Sequence, residues 1–116
     1  QRDAIDRLIA EDRVVLVDVT ADWCLTCKVN KAAVLERGPV ADRLGGGDVV
    51  AMRADWTSPD AAITEYLASF GRYGIPFNVV YGPAAPDGIV LPELLTDAAV
   101  LAALDRAATP TTARLD

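Results

Sequence analysis

The chain has 116 residues, the size of one domain with a single core, and 52% of them are hydrophobic, which is enough to fold without a metal or a structural disulfide. Its net charge of −6 argues against binding to nucleic acid or to anionic lipid. The sequence contains no histidine, so the commonest general base and metal ligand is absent.

The start of the chain and its apolar stretches bear on where the protein is located. No apolar stretch approaches the ~20 residues that a transmembrane helix needs. The polar start Gln1-Arg2-Asp3 is also unlike a signal peptide. Because the first residue is Gln rather than Met, we expect a processed secreted protein or a domain of a larger one, in preference to a complete cytosolic protein.

The first part of the chain predicts two helices around a buried strand. Residues 3–10 carry apolar side chains at helical spacing. The strand at residues 14–20 is apolar on both faces, which is typical of the centre of an α/β sheet. A second helix should cover residues 24–37, where Gly38-Pro39 stops or kinks it, and a further turn is expected at 40–44.

The middle of the chain predicts a second strand and a third helix. Residues 48–54 read as the strand. The helix should start at Ser58 as its N-cap, with Pro59 in the first turn and Asp60 at the positive end of the helix dipole. We expect it to end near residue 70.

The last part of the chain predicts two strands joined by a short loop, and then a final helix. The expected ranges are 77–81 for strand three, 82–88 for the loop, 89–95 for strand four and 97–107 for the helix, which Thr96 caps. A domain of residues 1–108 and a frayed tail at 109–116 follow from this division.

The order of these elements predicts an α/β fold with a mixed four-stranded sheet and helices on both faces. The first strand–helix–strand unit should be parallel and right-handed, while the short loop makes strands three and four antiparallel. We expect strand one to lie centrally. Cys24 would then emerge at its carboxyl end, where α/β sheets usually place their chemistry.

Cys24 and Cys27 are the only cysteines and they open the second helix. Their spacing allows a disulfide within one helical turn, and such a short loop gains little from a structural bridge. We predict a redox pair, with Cys24 at the helix start as the nucleophile and Cys27, more covered, as the resolving thiol. A zinc site needs four ligands, and the chain has no third cysteine and no histidine.

Asp18 interrupts an otherwise apolar strand, where an ionised carboxylate is costly to bury. We interpret it as a general base with a raised pKa that takes the proton of Cys27. The alternative is a carboxylate that points outward at a sheet edge. The nearby Asp18 and Asp22 disfavour a thiolate while Lys28 and Lys31 favour it, so we expect a moderately reducing couple. Both lysines could equally form an ordinary solvated helix face.

Three further residues are candidates for partner binding. Trp23 could shield the thiols or form a docking surface, and an ordinary half-buried aromatic is the equal alternative. A cis Ile75-Pro76 bond would turn the Ile75 backbone toward the cysteines, although the statistics of X–Pro bonds slightly favour trans. Trp56 and Tyr73 could line the same end of the sheet, but ordinary core or surface packing is the better interpretation.

These motifs together resemble a thioredoxin-fold domain. The strings are Val17-Asp18, Ala21-Asp22-Trp23-Cys24-Leu25-Thr26-Cys27-Lys28 and Ile75-Pro76. More narrowly, they are similar to the C-terminal periplasmic domain of the DsbD family of thiol:disulfide interchange proteins. The strings at 54–57 and 70–77 fit that family too, including its suppressor-of-copper-sensitivity branch. The resemblance covers roughly residues 14–107.

The resemblance implies a thioredoxin-like fold and a role for each site residue. The nucleophile would be Cys24, the resolving thiol Cys27, the buried acid Asp18 and the cis-proline Pro76. Family members commonly carry a glutamate four residues after the second cysteine, where this chain has Lys31. A cation at that position is expected to lower the pKa of the thiol.

The resemblance also implies a location and partners. The domain would be a soluble, periplasmic part of an inner-membrane protein that carries electrons from cytosolic thioredoxin across the membrane. Its partners would be protein disulfides and the membrane-embedded dithiol donor of the same parent protein. We expect no cofactor, no metal, no nucleic acid, and a monomer when the domain is isolated.

The function predicted from the sequence is that of a protein-disulfide reductase domain. Two alternatives stay within redox enzymes: a free-standing thioredoxin-like reductase and an oxidase, which the redox potential distinguishes. A third is a thioredoxin-like module that binds Cu(I) through its two thiolates. The composition, with one Met and no His, argues against that module.

Overall fold

A four-stranded mixed sheet forms the centre of the computed structural model, which describes residues 2–108. Its strands are β1 (Val14–Thr20), β2 (Val49–Asp55), β3 (Phe77–Gly82) and β4 (Ala85–Val90), in the order β2-β1-β3-β4. β1 pairs with β2 in parallel and with β3 antiparallel, and β3 pairs antiparallel with β4. The predicted mixed sheet is confirmed, whereas the tail predicted at 109–116 lies outside the described residues.

Helices flank this sheet in the part of the chain that is described. They are α1 (Arg2–Ala10), α2 (Leu25–Asn30), α3 (Gly38–Leu44), α4 (Ala61–Ser69) and α5 (Asp97–Ala108), and a π-helical segment, Lys31–Leu35, continues α2. In that segment the N–H of Glu36 donates to the carbonyl of Lys31 over 2.9 Å, five residues back. The helix predicted at 24–37 is therefore present, but it widens at its C-terminal end.

The sheet separates two hydrophobic cores. On one face, Leu16 and Val80 pack with Val34, Val40, Val100 and Leu104, which come from the π-helical segment, α3 and α5. On the other face, Val15, Val17 and Val19 pack with Ile5 of α1, Leu67 of α4 and Phe77. Helices thus cover both faces as predicted, and β1 is buried between them. Asp18 shares the face of Leu16 because strand side chains alternate.

The start of α4 differs from the prediction. Asp60, rather than Ser58, is the N-cap, and its carboxylate accepts a hydrogen bond from the N–H of Ile63 over 3.1 Å. Asp60 has extended backbone angles, with φ −147° and ψ 115°. The Ser58-Pro59 pair therefore lies in the loop before the helix. Serine and aspartate are both favourable N-cap residues, so the sequence alone does not distinguish Ser58 from Asp60 as the cap.

Strand four also differs from the prediction, since β4 covers Ala85–Val90 where a loop and only the first residues of the strand were expected. The predicted loop at 82–88 holds two prolines and two glycines, which are typical of turns, and these residues are the reason that the sequence suggested a loop. Among the described strands, β4 lies at an edge of the sheet and pairs with β3 alone, and an edge tolerates a proline such as Pro86. Gly88 has φ +96° and lies against Val79 and Tyr81, where a Cβ would clash.

Candidate active site

The site begins where β1 ends. The N–H of Cys24 donates to the carbonyl of Ala21 over 3.1 Å, which closes a turn between the strand and α2. Cys24 is the N-cap of α2, with extended backbone angles of φ −91° and ψ 103°. The predicted position of Cys24, at the carboxyl end of a central strand and at a helix start, is therefore observed.

Cys24 and Cys27 form a disulfide across the first turn of α2, and their Cα atoms are 5.3 Å apart. The N–H of Cys27 donates to the sulfur of Cys24 over 3.2 Å. An N–H aimed at a sulfur stabilises that sulfur most when it is a thiolate, because hydrogen bonds to charged acceptors are stronger. The geometry thus favours ionisation at Cys24.

A small apolar cluster surrounds the disulfide. Ala21, Cys24 and Cys27 are buried together, and Ile75 packs against them. Cys24 and Cys27 are 6% and 5% exposed, so the expectation that Cys27 is distinctly more covered finds no support in their burial. The reason is that Cys24, as the N-cap, turns its side chain back over the helix start. The difference between the two thiols therefore lies in hydrogen bonding.

The Ile75-Pro76 peptide bond is cis, as the family resemblance implied and contrary to the statistical preference for trans. Pro76 is buried and precedes β3 directly. Through Ile75, this turn contacts the disulfide cluster. The two segments that the sequence singled out, around Cys24 and around Pro76, are thus brought together.

An apolar groove of about 470 Å³ lies beside this cluster. Trp23, Trp56, Tyr73 and Ile75 line it, together with Thr57, Pro59, Thr64 and Gly74. Trp23 is 61% exposed and Tyr73 is 82% exposed, so the interpretation of Trp23 as a half-buried packing residue is wrong. The Trp23 indole N–H donates to the carbonyl of Thr57 over 3.2 Å, and its ring lies 6.4 Å from that of Trp56.

Asp18 is half-buried in the central strand β1, on the face covered by the helical segment that continues from Cys27. The alternative of a carboxylate at a sheet edge is therefore wrong. Asp18 lines a cavity of about 150 Å³ that Lys31, Glu36 and Arg53 also line. Burial raises the pKa of Asp18 above its ordinary value of 3.8, and the charges of Arg53 and Lys31 oppose that rise.

Lys31 occupies the position where family members commonly carry a glutamate. Its ammonium lies 3.6 Å from the carboxylate of Glu36, and both side chains are substantially exposed. A pair of this kind contributes little to stability. Lys31 follows Cys27 by one helical turn and faces the cavity of Asp18, so its charge acts on the carboxyl group as well as on the helix surface.

Asn30 fixes the helical segment that carries Cys27. Its amide nitrogen donates to the carbonyl of Glu93 over 2.8 Å, and its oxygen accepts from the N–H of Leu95 over 3.0 Å. The side chain is 2% exposed. Both bonds join segments that are far apart in the chain, which is why the sequence did not single out this residue.

Two other residues near Asp18 were missed from the sequence, namely Arg53 and Asn78. Both are register partners of Asp18, Arg53 on β2 and Asn78 on β3. Asn78 is buried, and its Oδ1 has no hydrogen-bond partner among the described residues. The available signal was an amide inside the apolar run Phe77-Asn78-Val79-Val80, which parallels the position of Asp18 in β1.

Comparison with known proteins shows the family to which the chain belongs. Residues 1–83 match the family model described as thioredoxin-like, so the chain belongs to the thioredoxin-like family. Its disulfide at the start of α2 and its cis-proline before β3 are the parts of the fold on which the sequence resemblance was based.

Within this family the chain is similar to DsbD. It is 39% identical over 72 residues to the thiol:disulfide interchange protein DsbD of Pseudomonas sp. (strain JR1 / K1), covering 62% of this chain and 12% of that protein. It is 31% identical over 91 residues to the DsbD of Ralstonia nicotianae, covering 76% of this chain and 15% of that protein. The chain therefore spans only a small part of the relatives it matches.

The solved C-terminal domain of Neisseria meningitidis DsbD, in its oxidised form, has the same fold. The TM-score is 0.72 at 21% sequence identity, over 91% of each chain. The predicted resemblance to the C-terminal domain of DsbD is confirmed, and so is the thioredoxin-like fold class.

Among residues 2–108, every helix is too short or too polar to span a bilayer. In the same range, no three or more Cys, Asp, Glu or His side chains are grouped as a metal site would require.

Proposed function

We propose that this domain is a thiol:disulfide oxidoreductase that acts as a reductase of protein disulfides. The observation that carries the proposal is the Cys24–Cys27 disulfide at the start of α2, where the N–H of Cys27 faces the sulfur of Cys24. A short disulfide at a helix start is readily opened and closed, because the thiolate of its first cysteine is stabilised there.

In the first step of the proposed reaction, the reduced domain attacks a partner disulfide. The Cys24 thiolate forms a bond to one partner sulfur, and the other partner sulfur leaves as a thiolate. The product is a mixed disulfide between Cys24 and the partner. The hydrogen bond from Cys27 N–H supports the ionised form of Cys24 that this attack requires.

In the second step, Cys27 resolves the mixed disulfide. Asp18 takes the Cys27 proton, directly or through one water, and the resulting thiolate attacks the sulfur of Cys24. The Cys24–Cys27 disulfide forms, and the partner leaves in its reduced form. Because burial raises the pKa of Asp18, its carboxylate is a better proton acceptor than an exposed one would be.

The partner would dock in the groove beside the disulfide. Trp23 and Tyr73 present exposed aromatic surface there, and Ile75 joins the groove to the disulfide cluster. An extended partner segment could contact Trp23, Ile75 and Pro76 while its own cysteine reaches Cys24. This arrangement supports the assignment of those three residues to substrate binding.

The similarity to part of DsbD supports a place in a larger protein. The domain would lie in the periplasm as a soluble part of an inner-membrane protein and be monomeric when isolated. A membrane-embedded dithiol of the same parent protein would recharge the Cys24–Cys27 pair after each cycle.

The test is the reduction of a fluorescently labelled, disulfide-bonded peptide by the reduced domain under anaerobic conditions. We expect rapid reduction with one disulfide opened per domain, and none with the Cys24→Ser variant. The redox potential should be measured in parallel by equilibration with glutathione. A potential near ~−120 mV, typical of a strong oxidant, would exclude the reductase and favour an oxidase.

A further inference from the structure

Asn78 is a polar residue in the middle of an otherwise apolar strand. Every residue of β3 is buried, and Asn78 is 2% exposed. Its Oδ1 has no hydrogen-bond partner among the described residues. A buried acceptor without a donor destabilises a fold, so its presence in a core strand calls for a physical reason.

The strand register supplies that reason by placing Asn78 directly opposite Asp18. Opposed residues of an antiparallel pair project from the same face of the sheet, with Cβ atoms about 5 Å apart. At that separation an amide oxygen on one side chain can reach a carboxyl oxygen on the other. The residue with the unpaired acceptor therefore lies beside the group that we assign as the proton acceptor of the reaction, on the same face of the sheet.

The Oδ1 of Asn78 and the carboxyl group of Asp18 can share a hydrogen bond in only one protonation state of Asp18. An ionised carboxylate and an amide oxygen both accept hydrogen bonds, so neither satisfies the other. A protonated carboxyl group has an O–H, and this donor can bond the Oδ1 of Asn78. The hydrogen bond consequently exists only while Asp18 carries a proton.

The charged groups around Asp18 act in the opposite direction. Arg53 from β2 and Lys31 from the π-helical segment line the cavity of Asp18, and both favour its ionised form. Glu36 lines the same cavity and pairs with Lys31. Cys27 belongs to the helical turn that precedes Lys31. Asn78, on the β3 side, favours the protonated form against the two cations.

We propose that Asn78 is a positioning residue that holds the proton on Asp18 while the partner is released. The proposal rests on the proposed function. The Cys27 S–H proton passes to the Asp18 carboxylate, and the new O–H donates to Asn78. The Cys27 sulfur then bonds to Cys24, the bond between Cys24 and the partner breaks, and the partner thiolate leaves with its electron pair. Asp18 afterwards returns its proton to solvent.

The direct test is the proton affinity of Asp18 in the oxidised domain, in which no thiol titrates. The Asn78→Leu variant keeps the approximate shape of the side chain and removes the oxygen. NMR of the ¹³C-labelled Asp18 carboxyl during a pH titration should show a lower pKa in this variant than in the unmodified domain. An unchanged pKa overturns the proposal, and so does a higher one, which would mean that the amide nitrogen faces the carboxylate.

The variant is expected to fold, because it removes a buried acceptor that has no donor among the described residues, and such an unpaired group costs free energy in the folded state. Asn78→Val is a second apolar variant, with a side chain that suits a strand. Val80→Ala is the matched control, since Val80 lies on the same face of β3 without opposing Asp18. The pKa of Asp18 should fall in both Asn78 variants and stay unchanged in the control.

Stopped-flow kinetics with the labelled peptide provides the second measurement. At pH 7, release of the reduced peptide should slow about tenfold in Asn78→Leu, because a base of lower proton affinity is less effective. Formation of the mixed disulfide should change less than about twofold, since Cys24 acts without Asp18. Equal slowing of both steps would contradict the proposed role.

The two proposals fail in different ways. If the unmodified domain does not reduce the peptide, the proposed function is wrong, whatever the titration of Asp18 shows. If it does reduce the peptide and the pKa of Asp18 is the same in the unmodified domain and in both variants, the role of Asn78 is wrong and the reductase stands.

Discussion

At the start of α2, the backbone N–H of Cys27 donates to the sulfur of Cys24 over 3.2 Å. The two residues are almost equally buried, so this bond is the feature that distinguishes them. The bond stabilises the thiolate of Cys24 more than that of Cys27. We therefore expect Cys24 to attack the partner and Cys27 to resolve the mixed disulfide.

The Cys27→Ala variant should therefore accumulate a mixed disulfide with the labelled peptide through Cys24. We expect roughly tenfold more adduct than with Cys24→Ala, because the trapped intermediate has no resolving thiol. Non-reducing electrophoresis and mass spectrometry measure the two yields. A larger yield from Cys24→Ala would reverse the assignment of the two cysteines.

The Asp18→Asn variant should slow release of the peptide by about 10²-fold or more and leave the initial attack nearly unchanged, as expected from the loss of a general base. Stopped-flow measurement of both steps at pH 7 checks this. Comparable slowing of the two steps would remove Asp18 from the role of base.

The same variant should change how stability depends on pH. Because burial raises the pKa of Asp18 above 3.8, the folded domain holds this proton more tightly than the unfolded chain does. The contribution of Asp18 to the free energy of unfolding therefore falls as the pH rises from 3.8 through the raised pKa. Asp18→Asn should be more stable than the unmodified domain at pH 7, and the gain should disappear below that window in urea titrations. A constant gain at all pH values would contradict the raised pKa.

Asp60 and Ser58 offer a matched test of the helix start. Asp60→Ala removes the hydrogen bond to the Ile63 N–H and should lower the free energy of unfolding by about 1 kcal/mol. Ser58→Ala should change it by less than about 0.5 kcal/mol, because Ser58 lies outside the helix. Urea denaturation of both variants measures the difference. A larger loss for Ser58→Ala would restore the capping prediction made from the sequence.

Gly82 and Gly74 test the packing of α5 against β3. A Cβ on Gly82 would lie 2.5 Å from the carbonyl oxygen of Ala107, which is backbone and cannot rotate away, whereas Gly74 has nothing within 4 Å. Gly82→Ala should cost about 1–3 kcal/mol of stability through overpacking. Gly74→Ala should stay within about 0.5 kcal/mol. Thermal or urea unfolding of the two variants compares them, and equal effects would contradict this packing.

The sequence by itself determined the parts of this protein that depend on local patterns. The apolar run at Val14–Thr20 identified the central strand, because a strand that is buried on both faces needs apolar side chains on both faces. The spacing of Cys24 and Cys27 identified the redox pair, because one helical turn brings their sulfurs together. Asp18 was recognisable for a similar reason, since a carboxylate in such a strand is costly without a role.

The tertiary structure alone decided what depends on the register of strands and the path of loops. Asn78 opposes Asp18 only because β3 pairs antiparallel with β1 in one register, and a shift by one residue would turn the two side chains to opposite faces. The groove of Trp23 and Tyr73 likewise forms where separate loops meet at one end of the sheet. Local periodicity carries no information about such pairings, because they are set by how the whole chain buries its two cores.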